Sequence, residues 1–505
     1  SEDTALLVSG TGNHPVGNSA GSFGAIVISN GFLGVTGNLY VGNSGVGDMW
    51  IGEGTAVVAG TISLGVVSNS NGRLTLAGPG ADLSGGPRIG VGTGAVGSVY
   101  LSNGIWRAAS EVRIGDAGEG LMEIAGGTLD VTNANIFIPY GPGTGRLVMT
   151  SADSQMFQQG TDIAVQISNG TNGYGEVVVS NGLMDVMEVD IADGRATAGD
   201  MYLYNGTCIV RRTGQSTFNI GSAPYSTGRL VVADSRALLV VTNGNGIVLG
   251  GQTANSQFSN AYGRLDFDSG TIITRGLRLA YGRDSSAEVV IKDGKLINVT
   301  DTGIIVAQGV NSQASLILAN PASMIDATNT SVSNPMIVGN STGAVGQVFV
   351  SNGTVKVSRL VVGNYGTGLV RLENQAQVIV TDNIYMPNNV AGGGTGTGLV
   401  LLASQDASLV VTSGSLNVGA SWAGAKGAGS HLLISNGTLR VRILSVGLAS
   451  DGLLTVLDGS VQQGSTSGGE GLKIGTSSEG GTGTVVLAHA NALINLPSNT
   501  LVFGS

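Results

Sequence analysis

The acidic stretch Asp185, Glu188, Asp190 and Asp193 is the densest set of side chains suited to acid–base chemistry in this 505-residue sequence. Glycoside hydrolysis requires two carboxyl groups, one to protonate the leaving oxygen and one to act as base or nucleophile. A second set, Arg264, Asp266, Asp268, Arg275, Arg278, Arg283 and Asp284, mixes both signs and is the first place to look for a carbohydrate-binding groove. Alternation with a period of two puts Asp185 and Asp190 on outward positions of successive strands, so a solvated charged face accounts for them. Cross-strand pairing accounts for the second set. No catalytic residue is assigned, and no enzymatic activity is expected.

The three histidines, His14, His431 and His489, stand in different parts of the chain without partners at metal-ligand spacing, so neither a metal nor a cofactor is expected. Cys208 is the single cysteine; it can form no intrachain disulfide and reads as an inert, buried thiol. Glycine strings such as Gly394-Thr395-Gly396-Thr397-Gly398 have neither a following helix nor a lysine to hold a phosphate, and read as corners.

The elements that would position these residues are copies of one glycine-rich unit. The clearest begin Gly24-AIVISNGFLGVTGNLYVG, Gly97-SVYLSNGIWRAASEVRIG, Gly175-EVVVSNGLMDVMEVDIAD, Gly346-QVFVSNGTVKVSRLVVGN and Gly429-SHLLISNGTLRVRILSVG. Further starts fall at Gly47, Gly72, Gly120, Gly145, Gly199, Gly228, Gly263, Ala287, Ala314, Gly368, Gly398, Gly452 and Gly483, at intervals of 22 to 35 residues. Each copy holds three short alternating arms. Ile26 and Ile28, or Val348 and Val350, mark the inner face of the first; Met184 and Val186, or Val355 and Val357, that of the second. Leu39 and Val41, or Leu360 and Val362, mark the third. Gly34, Asp185, Lys356 and Arg440 take the opposite, water-facing side of the second arm.

Ser-Asn-Gly recurs at Ser29–Gly31, Ser102–Gly104, Ser168–Gly170, Ser180–Gly182, Ser351–Gly353 and Ser435–Gly437, read as the corner between the first two arms, because Asn and Gly tolerate the left-handed backbone of a sharp turn. Asn-Gly is also a hairpin signal, which raises an antiparallel meander or propeller as the rival fold. A propeller blade, however, uses four strands in roughly 40 to 45 residues. Three arms in a shorter unit predict an all-β chain forming one continuous parallel β-solenoid over residues 1–505, about 18 coils stacked at about 4.8 Å.

These coils resemble the β-strand repeats of autotransporter passenger domains and related glycine-rich secreted bacterial proteins. The resemblance rests on the alternating arm, the Ser-Asn-Gly corner and the Val-Gly-Asn turn at Val41–Asn43, Val338–Asn340 and Val362–Asn364, and it covers essentially the whole chain. It implies a right-handed, three-sided β-helix and a secreted, extracellular or cell-surface location. The sequence departs from that family in lacking a C-terminal β-barrel and a sorting tail.

Composition excludes other classes. With 42% hydrophobic and 11% charged residues the chain is expected to fold rather than stay disordered. A net charge of -10 without a Lys/Arg run speaks against nucleic acid, and no apolar run approaches the ~20 residues of a membrane span. Residues 1–23 read as a half-coil and turn in which Ala5–Val8 matches a third arm, and residues 484–505 as an uncapped last coil ending on the third arm Leu501-Val502-Phe503. Uncapped coils predict head-to-tail self-assembly into a filament through Leu6, Val8, Ile26, Ile28, Leu501 and Phe503, so the foremost expected partner is a second copy.

The alternatives are an adhesin or surface coat that binds cell-surface carbohydrate, through loops near Gln252–Tyr262 or Asn329–Asn334, and, below it, a polysaccharide-degrading enzyme. Asn169, Asn205, Asn298, Asn329, Asn340, Asn352 and Asn436 lie in glycosylation sequons, most of them at corners.

Overall fold

The computed structural model describes residues 5–214, 217–252, 259–300, 302–328, 335–387, 396–419, 429–464, 470–475, 481–496 and 500–504. Two compact units, Ser1–Gly244 and Asn245–Ser505, divide the chain. Both are parallel β-solenoids, and no helix occurs among the described residues. Among the described residues nine first-arm strands lie in each unit, from Phe23–Ile28 to Thr227–Val232 in the first and from Tyr262–Phe267 to Gly483–Leu487 in the second. The expected repeat and its parallel stacking are thus present, and the antiparallel rival is set aside.

Register is kept by one column. In the first unit Gly24, Gly47, Gly72, Gly97, Gly120, Gly145, Gly175, Gly199 and Gly228 face one another from coil to coil. The backbone entering from the preceding third arm crosses directly over this column. A Cβ on Gly120 would stand 2.2 Å from the backbone nitrogen of Gly115, which follows the third arm Val112–Ile114, closer than any side chain can come. The second unit continues the pattern through Gly263, Ala287, Ala314, Gly346, Gly368 and Gly398. There the start read at Gly429 shifts by one residue: Ser430 faces Gly452, and its Oγ accepts the Gly398 N–H at 3.2 Å.

Inside the coils, side chains of like type stack. Met49, Leu74, Val99, Met122, Leu147 and Val177 form one fully buried first-arm column, and Ile51, Leu76, Leu101, Ile124, Met149 and Val179 the next. Each such side chain contributes about 1.5–3 kcal/mol by leaving water. A single coil could cover none of them, so each coil's stability depends on its neighbours. Asparagines pin the corners from coil to coil: Asn38 Nδ2 donates to Asn13 Oδ1 at 3.0 Å, Asn205 to Asn181 at 2.7 Å and Asn364 to Asn340 at 2.9 Å.

Two assignments along the chain are corrected. Ala5–Val8 pairs with Phe32–Val35, a second arm, and it is Asn13–Val16 that pairs with the third arm Asn38–Val41. Ser168–Gly170 follows the third arm Val165–Ile167 instead of joining the first two arms. Ser168 has φ 60°, the left-handed conformation that Gly42 and Gly90 take at the same point of other coils, with φ 70° and 69°. Its Oγ accepts the Gly175 N–H at 2.7 Å, which holds the turn without a glycine.

Candidate functional site

The acidic stretch folds into the seventh coil of the first unit, around the second arm Leu183–Val186 and the third arm Val189–Ile191. Asp185 and Asp190 do take outward positions, but both are buried, as is Glu188, so the expected solvated face is not what forms. The reason is the company each keeps in its column. Asp185 stands between Phe157 and Ile209, and Asp190 between Gln166 and Asn219.

Each carboxylate is then answered locally. Arg211 pairs with Asp185, and Arg212, at the corner of the next coil, pairs with Glu188 and reaches Asp162 at 3.0 Å. Asn219 Nδ2 donates to Asp190 Oδ1 at 2.6 Å. Asp193 accepts from Ser222 Oγ at 3.0 Å and from Asn169 Nδ2 at 3.4 Å. Among the described residues no cation is paired with Asp190 or Asp193. Burial pushes the Asp190 carboxyl well above the usual carboxylate range, and the Asp193 charge pushes it further, against the Asn219 hydrogen bond. Burial raises Asp193 too, against the Ser222 and Asn169 hydrogen bonds.

That shift has a sign. Below the ordinary Asp value of 3.8 the folded and unfolded chains are equally protonated at these sites and the full stability is present. As pH rises from there through the raised folded values, the unfolded chain gives up its protons first, and stability falls. We expect Asp190→Asn, which keeps the shape of the neutral acid, to remove most of the pair's share of the loss as pH rises above the ordinary Asp value. Thermal melts of both proteins across that range measure it. An unchanged slope would mean that the pair is ionised in the folded chain.

Cys208 is fully buried on the inner face of the second arm Thr207–Val210, next to Met184 in its column. Burial first, and the Asp185 charge second, push its thiol up to about 12, which disfavours the thiolate needed for nucleophilic or redox chemistry.

The mixed-charge set is only partly brought together. Arg264 holds Asp266 at 2.8 Å and Glu288 at 2.7 Å on the outward face of the first arm. Asp268 pairs elsewhere, with Lys292 at 2.6 Å. Arg283 lies 3.5 Å from Asp284, while Arg275 donates to Thr302 Oγ1 at 3.0 Å and Arg278 stacks over Tyr281. Glu288 was not singled out from the sequence. Its signal was register: it starts one coil after Arg264, in the same outward column.

The histidines stay apart. His14 contacts the Gly10 carbonyl oxygen at 3.2 Å, His431 contacts Thr455 Oγ1 at 3.1 Å and His489 contacts Asp458 at 2.7 Å. Among the described residues no group of three or more His, Cys, Asp and Glu side chains could hold a metal ion. No described helix is long and apolar enough to cross a membrane.

Of the sequons, Asn298 is corrected: it is fully buried at the end of the second arm Lys295–Asn298, and its Oδ1 accepts the Thr300 N–H at 3.3 Å, so the folded chain offers no acceptor there. Asn169, Asn205, Asn340, Asn352 and Asn436 are half-buried at turns. The Asn205 nitrogen is held by Asn181 and the Asn352 nitrogen by the Ala319 carbonyl at 3.1 Å. Asn329, the stretch Asn329–Asn334 and most of Gln252–Tyr262 lie outside the described residues.

The outermost coils differ from all the others. Leu6 and Phe503 sit in inward columns, facing Leu33 and Ile474, yet are 62% and 65% exposed. Leu487 and Leu501 are likewise inward and exposed, whereas Val8 and Ile26 are half-buried and Ile28 is buried. Of the six residues assigned to an interface, Leu6, Leu501 and Phe503 therefore carry most of the open apolar surface.

No family model and no curated protein matches this chain. Among solved structures it is similar to a TibC-catalyzed hyper-glycosylated TibA55-350 fragment, with 14% identity over 95% of this chain and 100% of that one and a TM-score of 0.23. At that score the likeness carries no argument about fold or function.

Proposed function

We propose that this chain is a structural extracellular protein whose copies stack head to tail into a fibre. The observation that carries the reading is the pair of open coils: inward columns that are buried in the interior coils meet solvent at Leu6 and at Leu487, Leu501 and Phe503. Strands there also present unpaired backbone edges, which soluble proteins normally cover. The two faces are unlike, so a contact between them is heterologous and extends without closing unless a rotation brings it round into a ring.

Arm matches arm in such a joint. Ala5–Val8 would lie on the second arm Leu493–Asn495 and Asn13–Val16 on the third arm Thr500–Phe503, while the first arm skips one place between Gly483–Leu487 and Phe23–Ile28. The joint thus relies on two arms of three. The acidic, lysine-poor composition and the resemblance to passenger repeats support an extracellular or cell-surface setting.

Negative-stain imaging of the purified chain tests the reading. Fibres are expected, growing with protein concentration. Short, monodisperse particles at every concentration would sink it, and would leave another covering for the open coils, such as a flanking segment of a longer protein.

A further inference from the structure

The outward face of the first arm in the second unit carries a groove that the assembly reading does not use. It spans four consecutive coils, and its walls are two columns fixed by register. Tyr262, Ser286, Gln313 and Val345 form one; Glu288, Ser315 and Gln347, which continue the column of Arg264, form the other. Alternate residues of a strand lie about 6.6–6.8 Å apart and neighbouring strands about 4.8 Å apart, so these side chains make a regular grid. The groove is open to solvent and offers about 280 Å³, just under the usual range of ligand sites.

Its polar groups are uncommitted. The asparagine ladders at the corners spend their amides on one another, but the side chains of Ser286, Gln313, Ser315 and Gln347 make no hydrogen bond with a described residue. Two planar amides and two hydroxyls on adjacent coils therefore stand free to bond a ligand that offers donors and acceptors in close succession. The Tyr262 ring at one end and Val345 at the other add surface for C–H groups. The described lining offers no free cation for an acidic sugar, since the neighbouring Arg264 is spent on Asp266 and Glu288.

We infer that this groove binds a neutral saccharide. Hydroxyls and C–H faces alternate around a sugar ring as the free amides and the flanking apolar groups do here, and the strand spacing is close to the advance per ring of an extended pyranose chain. Recognition of this kind does not depend on assembly, because every contributing residue belongs to one unit of one chain.

Titration calorimetry with cellohexaose, laminarihexaose and chitohexaose, and with hexagalacturonate as the acidic counterpart, tests it at ligand concentrations up to about 1 mM. At least one neutral hexaose is expected to bind. The double variant Gln313→Ala/Gln347→Ala should weaken that binding at least about tenfold with an unchanged thermal midpoint. Ser315→Arg, which fills the groove from a half-buried outward position, should abolish it. Absence of binding by all three neutral hexaoses, binding of hexagalacturonate alone, or full affinity in both variants would overturn the inference. A variant that no longer forms fibres, such as Leu6→Asp, should bind as the parent does, which separates this outcome from the fate of the fibre.

Discussion

Phe503→Asp, and independently Leu6→Asp, is expected to abolish fibres while leaving the interior coils folded. Each residue sits in an inward column but meets water in the single chain, so a charge there costs little until a second copy arrives. In the joint that charge would have to leave water without a cationic partner, and the ~1.5–3 kcal/mol from burying the original side chain would be lost as well. Together these cost at least about 3 kcal/mol, or a hundredfold and more in the association constant of every joint. Because coils are stabilised by nearest neighbours, damage at one end does not spread inward. Sedimentation and electron microscopy should show single chains, and hydrogen exchange in coils such as Val96–Ile114 should be unchanged. Fibres of normal length from both variants would remove the open coils from the mechanism.

Trp106→Ala should give the largest loss of stability from a single core substitution in the first unit. The indole is fully buried on the inner face of the second arm Ile105–Ala108, between Leu83 and Leu129, and Nε1 donates to the Gly85 carbonyl at 2.9 Å. Gly85, with φ 143°, lies in the long strand Asp82–Ile89, where the chain runs from its second arm into its third. Removing the ring leaves a cavity beneath two leucines and frees that carbonyl, for a cost of about 3–5 kcal/mol. Trp106→Phe retains most of the volume and forfeits mainly the hydrogen bond, about 1–3 kcal/mol. Denaturation by urea measures both. Hydrogen exchange should place the faster-exchanging amides in the coils on either side of residue 106. A change in Trp106→Ala within experimental error would show that this corner is not tightly packed.

Much of the solenoid was legible because its two strongest signals are local. Period-two alternation identified the inner faces, and the recurring glycine before each first arm marked the column crossed by the preceding turn. Where those signals thinned, the reading slipped. Ala5-Leu6-Leu7-Val8 has no glycine before it and no Ser-Asn-Gly beside it, and its apolar pattern suits a second arm as well as a third. At Gly429-Ser430 the small residue in the column is the serine, and the neighbouring glycine took its place in the reading. Ser168-Asn169-Gly170 has the composition of one corner and occupies another, because a left-handed φ is needed at both.

The sites were harder to read than the fold. Alternation tells which face Asp185 and Asp190 share, but exposure depends on the neighbouring columns: Phe157, Ile209 and Asn219 are 24 to 29 residues away from those carboxylates in sequence. The saccharide groove had the same character. Arg264 and Asp266 were visible as a charged pair, whereas Ser286, Gln313, Ser315 and Gln347 are unremarkable one by one and become a set only when the coils are stacked in register.

That stacking has a mechanical side. Within each unit the backbone hydrogen bonds run from one coil to the next, along the stacking direction. A pull along that direction loads the bonds of one strand pair after another, and does not shear a whole set at once. Such material yields by letting go of single coils at modest tension, each released coil adding slack before the next gives way.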